Sequence, residues 1–147
     1  MRGRVGLAAA AALVCLTGCA GPSRTDGDFT AKAANTAEAA VSSVRTARIA
    51  VQAAVDGKAP ARYLSVVFSD QETALTSVQS TFDSVQPPSS AADDLRDGLD
   101  ELLTEAVDQV AQLRIDSRRG GFRPDRATLQ ALDAIADRLD RFAEEHS

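Results

Sequence analysis

The chain is punctuated three times, and each punctuation is made of residues that end helices. Asp56-Gly57-Lys58-Ala59-Pro60, Gln86-Pro87-Pro88-Ser89-Ser90 and Arg119-Gly120-Gly121-Phe122-Arg123-Pro124 separate stretches rich in Ala and Leu. Gly accepts the left-handed conformation in which helices commonly end, and Pro, which has no amide proton, fits the first turn of the next helix. Gly57 and Pro60 stand in that order, as do Gly120 and Pro124. At the second punctuation two prolines stop a helix, and Ser90 with Asp93 reads as a capping box with Asp in place of Glu.

Each of the four stretches carries one apolar stripe at helical spacing. The first shows Ala37, Val41, Val44, Val51 and Val55, and the second Leu64, Val67, Leu75, Val78, Phe82 and Val85. The third shows Leu95, Leu99, Leu102, Leu103, Ala106, Val110 and Leu113, with Leu102 at its centre and Ile115 pointing away; the fourth shows Leu129, Leu132, Ile135, Ala136, Leu139 and Ala143. No apolar/polar alternation is long enough for a strand. Helices of roughly 23 to 30 residues joined by such short loops must run antiparallel to their neighbours. The sequence thus predicts an all-α fold, an antiparallel up-down-up-down four-helix bundle over 29–147. The first helix, Ala-rich with Val as its bulky core residue, is expected to be the thinnest and most easily frayed. With 147 residues and 44% apolar composition, the chain has material for one domain and one modest core.

Ahead of the bundle, Arg2 and Arg4 precede an apolar run from Val5 to Leu16. The run falls short of the roughly 20 residues that a spanning helix needs, and basic-then-apolar-then-small is the order of a secretory signal. It ends in Leu16-Thr17-Gly18-Cys19. These four residues resemble the lipobox of bacterial lipoprotein precursors: an aliphatic residue, two small ones and Cys. The resemblance implies that residues 1–18 are removed as a signal peptide and that the thiol of Cys19, the new first residue, carries a diacylglyceryl group. The protein is then expected on the extracytoplasmic face of a cell membrane, where two acyl chains hold far better than one. Residues 19–28, small and polar with Gly and Pro, read as a flexible tether. Cys15 leaves with the signal and Cys19 is consumed by lipid, so no disulfide is expected. The body, with many Ala, Arg and Asp and only Lys32 and Lys58 as lysines, resembles small helical lipoproteins of high-GC, actinobacterium-like genomes.

Charge and residue types narrow the chemistry. With 16 Lys+Arg against 21 Asp+Glu, nucleic acid is not expected as a partner, because its binding rests on neutralising phosphates. A nucleophile needs an adjacent base, yet the mature chain has no Cys outside the lipid anchor and its one His is His146. Ser65, Ser69, Ser77 and Ser80 read as surface hydroxyls, Asp93, Asp94 and Asp97 as a helix start, and Asp133, Asp137 and Asp140 as a solvated stripe. No enzyme activity, cofactor or metal is expected.

Two features stand out. Arg48 falls between Val44 and Val51 on the first stripe and Gln71 between Val67 and Leu75 on the second: either a polar layer in the core, structural or serving a ligand-binding or sensory module, or an Arg whose stem lies on the core while its head reaches water. Asp70 and Asp133 lie at the matching depth as partners for Arg48. The second feature follows from topology: the first and third loops meet at the end far from the membrane. That far end gathers Lys58, Arg62, Arg114, Arg118, Arg119, Arg123 and Arg126, with Asp56, Asp116, Asp125 and the aromatic Phe122 among them. The near end gathers Asp26, Asp28, Asp83, Asp93, Asp94, Asp97, Asp140, Glu144 and Glu145. Helix dipoles do not explain Arg62, Arg123 and Arg126 at helix starts. A basic tip of this kind suits an anionic wall polymer or an acidic envelope protein, with Lys58, Arg62, Arg118, Arg119, Phe122, Arg123 and Arg126 as contact residues.

Overall fold

The computed structural model describes residues 25–147. The signal segment, the lipobox with Cys19 and most of the expected tether lie outside the described residues. Within them the chain forms four helices and no strand: α1 (Asp26–Val55), α2 (Ala61–Asp83), α3 (Ser90–Arg118) and α4 (Arg126–Glu145). None of these is long and apolar enough to cross a membrane. Ion pairs and hydrogen bonds across the seams give the direction of each helix. Arg48 meets Asp133 and Arg45 meets Asp140, so α4 descends as α1 ascends. Glu72 meets Arg114 while Gln79 meets Asp100 and Thr104, so α2 and α3 are also antiparallel. The result is the antiparallel four-helix bundle that the stripes predict.

The packing is uneven. α1 touches α2, α3 and α4, whereas α2 and α4 do not touch. The cross-section is a rhombus with its short diagonal between α1 and α3. A helix in that position needs an apolar face toward three neighbours. α1 buries Phe29, Ala33, Ala34, Ala37, Ala40, Val41, Ser43, Val44, Ala47, Ala50 and Val51, an arc of about 200° at 100° per residue. This overturns the expectation of a thin, frayed first helix, because its alanines are the short side chains that let three helices approach one. The least embedded helix is α2, with only Leu64, Phe68, Leu75 and Phe82 buried.

Several details differ from the stripes. Phe29 is fully buried and its ring meets Phe82 at 5.3 Å, giving α1 an aromatic foot. Phe68, absent from the predicted stripe, is fully buried as well. On α3 the deepest leucines are Leu99 and Leu103; Leu102 and Ile115 are both half-buried, but of the two Leu102 packs against the core. α1 starts ahead of residue 29, because the Thr25 hydroxyl accepts the Asp28 amide at 3.1 Å and the helix is capped there. The α3 cap is Ser89, one residue before the predicted Ser90, and its hydroxyl accepts the Ala92 amide at 3.2 Å. Gly57 (φ 69°) and Gly120 (φ 68°) occupy the left-handed region, as their place at helix ends requires.

Candidate functional site

The far end is built from the C-termini of α1 and α3, the N-termini of α2 and α4, and two loops. After α1 the amides of Gly57 and Lys58 fold back onto the carbonyls of Ala54 (3.0 Å) and Ala53 (2.8 Å). After α3 the amides of Gly121 and Phe122 both donate to the carbonyl of Asp116 at 3.0 Å. This hooks the third loop inward and carries the Phe122 ring edge-on to Phe68, with centroids 5.6 Å apart. Phe122 is therefore half-buried, closing the top of the core with one edge and lining the space between the loops with the other. Between the loops lies a cavity of about 220 Å³, lined by Ala54, Ala59, Ala61, Leu64, Ser117, Gly120, Phe122, Arg123 and Pro124.

Cations at this end outnumber the carboxylates that could neutralise them. Arg62, Arg118, Arg119 and Arg126 are exposed and make no ion pair among the described residues. Arg123 Nη1 donates only to the neutral carbonyls of Gly120 and Phe122, each at 3.3 Å. The acids nearby are engaged locally. Asp56 accepts from Lys58 Nζ at 3.1 Å and Gln52 Nε2 at 2.9 Å, and these contacts hold its carboxyl below the usual range. Asp116 accepts from Gln112. Asp125 caps α4, accepting the Thr128 amide at 2.8 Å and the Thr128 hydroxyl at 2.7 Å, and the amide contact first lowers its pKa. Glu72 binds Arg114 through two nitrogens, so of the predicted cations Arg114 is the one tied into a seam between helices.

The near end is less one-sided than a count of its acids suggests. Arg96 sits among them, donating to the Val85 carbonyl and lying 5.8 Å over the Phe29 ring, which ties the second loop to the foot of the core. Arg45 engages Asp140, the Ser89 hydroxyl donates to Asp26 at 2.7 Å, and Arg141 is exposed nearby on α4. Partial burial, then the like charge of Asp100, raises the pKa of Asp83.

The polar core layer does not form. Arg48 lays its stem on the core and sends its head out into the α1–α4 seam. There its Nε donates to Asp133 at 2.7 Å and its side chain remains 35% exposed. Gln71 is half-buried on α2, which has no contact with α4, so the two residues serve different seams. Asp70 is exposed and Asp133 alone meets Arg48. The buried polar side chains among the described residues are Ser43 and Ser117, and Ser117 Oγ donates to the Leu113 carbonyl at 2.8 Å. What sequence reasoning missed is the ladder itself: Arg45 with Arg48, three apart, facing Asp133 with Asp140, seven apart. That spacing places each set on one helix face and was readable once α1 and α4 were known to be neighbours.

A second concavity, an open groove of about 550 Å³ between α2 and α3, is lined by Ser69, Glu72, Thr73, Thr76, Ser77, Ser80, Arg114 and Arg118. All of its lining residues carry polar side chains, and Arg118 at its edge belongs to the basic end. Among the described residues no group of three or more His, Cys, Asp or Glu is placed to hold a metal ion. The His146 ring lies 4.5 Å from that of Phe142 at the near end. No family model matches the chain, nor does any curated protein or solved structure.

Proposed function

We propose that this chain is a lipid-anchored, non-enzymatic cell-envelope protein that binds an anionic partner, a wall polymer or an acidic protein, through the far end of its bundle. The observation that carries the reading is the set Arg62, Arg118, Arg119 and Arg126, exposed at one end without an acidic partner among the described residues. Such guanidiniums are free to meet carboxylates or phosphates bidentately, a geometry suited to anionic partners. Anchorage at Cys19 follows from the lipobox and holds the opposite end at the membrane.

The test is charge reversal at the tip. Arg118→Glu, Arg119→Glu and Arg123→Glu together should abolish sedimentation with isolated cell envelopes while leaving the helical circular dichroism signal intact. Raising the salt concentration should weaken the wild-type interaction, since exposed charges are screened within about 8–10 Å at physiological ionic strength. Unchanged sedimentation of the triple variant would sink the reading. Mass spectrometry of the mature protein tests the anchor separately: an unmodified Cys19 in purified membranes removes it.

A further inference from the structure

The far end offers a recess of mixed lining, apolar side chains along one wall and polar surface along the other, as well as charge. The cavity between its loops is walled by the methyls of Ala54 and Ala59, by buried Leu64, by the Phe122 ring and by Pro124. The one buried hydroxyl in its lining, Ser117, already donates to the Leu113 carbonyl. At about 220 Å³ the recess is smaller than the roughly 300 Å³ at which small-molecule sites begin, and it suits one aliphatic side chain better than a whole metabolite. One cation, Arg123, lines the cavity itself. Arg62 and Arg119 are exposed at the same end, and Arg118 lines the adjoining α2–α3 groove.

An anionic sugar or phosphate polymer would satisfy the arginines and leave the recess without an occupant. An acidic protein segment supplies carboxylates for the rim and an apolar side chain for the centre, the arrangement of an anchor residue within a polar ring. We infer that the recess receives one aliphatic side chain of an acidic segment of a partner protein, with Arg62, Arg118 and Arg119 meeting the flanking carboxylates. This rests on the far-end reading above and narrows its partner from any anion to an acidic protein.

The experiment titrates the full chain with labelled probes followed by fluorescence anisotropy. The probes are a short Glu-rich peptide with one central leucine, the same peptide with serine at that place, an uncharged peptide with the leucine, and polyphosphate. The leucine-bearing acidic peptide should bind between about tenfold and a hundredfold tighter than its serine counterpart, the gain expected from burying one such side chain. Filling the recess by Ala61→Trp, at an exposed position that opens α2, should erase that advantage and leave polyphosphate binding as it was. Ala59→Leu in the first loop provides a second blocking variant, and circular dichroism checks that both remain helical. Equal binding of the two acidic peptides, or a leucine advantage that survives both variants, overturns the inference and leaves the charge reading standing. So does equally tight binding of the uncharged peptide. If no anionic probe binds, or if Arg118→Glu with Arg119→Glu changes nothing, the far-end reading falls as well.

Discussion

α1 and α4 share the broadest seam of the bundle, and they reach it by opposite routes. α4 buries Leu129, Leu132, Ile135, Ala136, Leu139 and Ala143, an arc of about 120° at 100° per residue, and leaves the rest of its surface to acids and arginines. α1 buries a wider arc, made mostly of alanine. The textures differ because the surroundings differ: α4 leans chiefly on α1, whereas α1 is enclosed by all three other helices. α3 also touches all three other helices, and meets them with a narrow stripe rich in leucine. α1 meets them with a broad band of small residues, where bulk would force the neighbours apart.

The largest expected effect tests the edge. Leu132→Ala and Leu139→Ala remove fully buried side chains and should each cost on the order of 2–5 kcal/mol in urea-induced unfolding. The centre should respond to the reverse change. Ala40→Leu or Ala47→Leu, at positions with no exposed surface, should destabilise by about 1–3 kcal/mol through overpacking. The same change at exposed Ala39 should stay within about 0.5 kcal/mol. Should Ala47→Leu prove neutral while Ala39→Leu does not, the close-packed account of α1 is wrong.

The two helix starts sharpen the comparison further. Thr25→Ala should cost about 1 kcal/mol, the usual worth of such a cap, and its effect would show that α1 begins at Asp26. The cap of α1 is a neutral hydroxyl and that of α4 is the carboxylate of Asp125, so only the second should titrate. The folded pKa of Asp125 is depressed, so its contribution is present above the ordinary Asp value of about 3.9 and is lost as pH falls through the folded value. Hydrogen exchange near that pH should show the Thr128 amide losing protection before the Asp28 amide. Asp125→Asn should remove the difference. The smallest effect is expected at Asp83, where burial and Asp100 raise the pKa. Its sign is opposite: stability rises as pH falls through the raised folded value. Asp83→Asn should leave neutral-pH stability within about 0.5 kcal/mol and flatten that rise.

The helices and their direction were legible because Gly57, Pro87, Pro88 and Gly120 punctuate segments whose period is unambiguous. Which helix stands at the centre was not, because alanine lowers amphipathic contrast whether a helix is loose or enclosed. Phe29 and Phe68 escaped the stripes for a related reason. Phe29 stands alone beside the polar tether, and Phe68 shares its turn with Val66 and Val67, so local pattern could not choose among them. At the site, the cations of the far end could be listed from topology alone. The inward turn of Phe122 and the recess that it walls depend on two amides reaching one carbonyl of Asp116, a geometry that no spacing rule encodes. Arg48 fell on the first stripe as predicted, and of the outcomes left open there the structure takes the one in which the long stem lies on the core and the head reaches the seam and Asp133.

The central position of α1 also bears on the order of assembly. α2 and α3 are neighbours in the chain, and a hairpin of the two can close early because short loops cost little entropy. The α1–α4 seam joins the two helices most distant along the chain, and contacts of such long range slow folding. We predict that stopped-flow experiments will find Leu75→Ala and Leu103→Ala, in the hairpin, chiefly slowing refolding, and Ala47→Leu chiefly speeding unfolding. An alanine band gains little from any single partner. α1 is joined to α2 by an equally short loop, so on this prediction what delays it is its band of small residues, whose docking surface is complete only when α2, α3 and α4 have gathered.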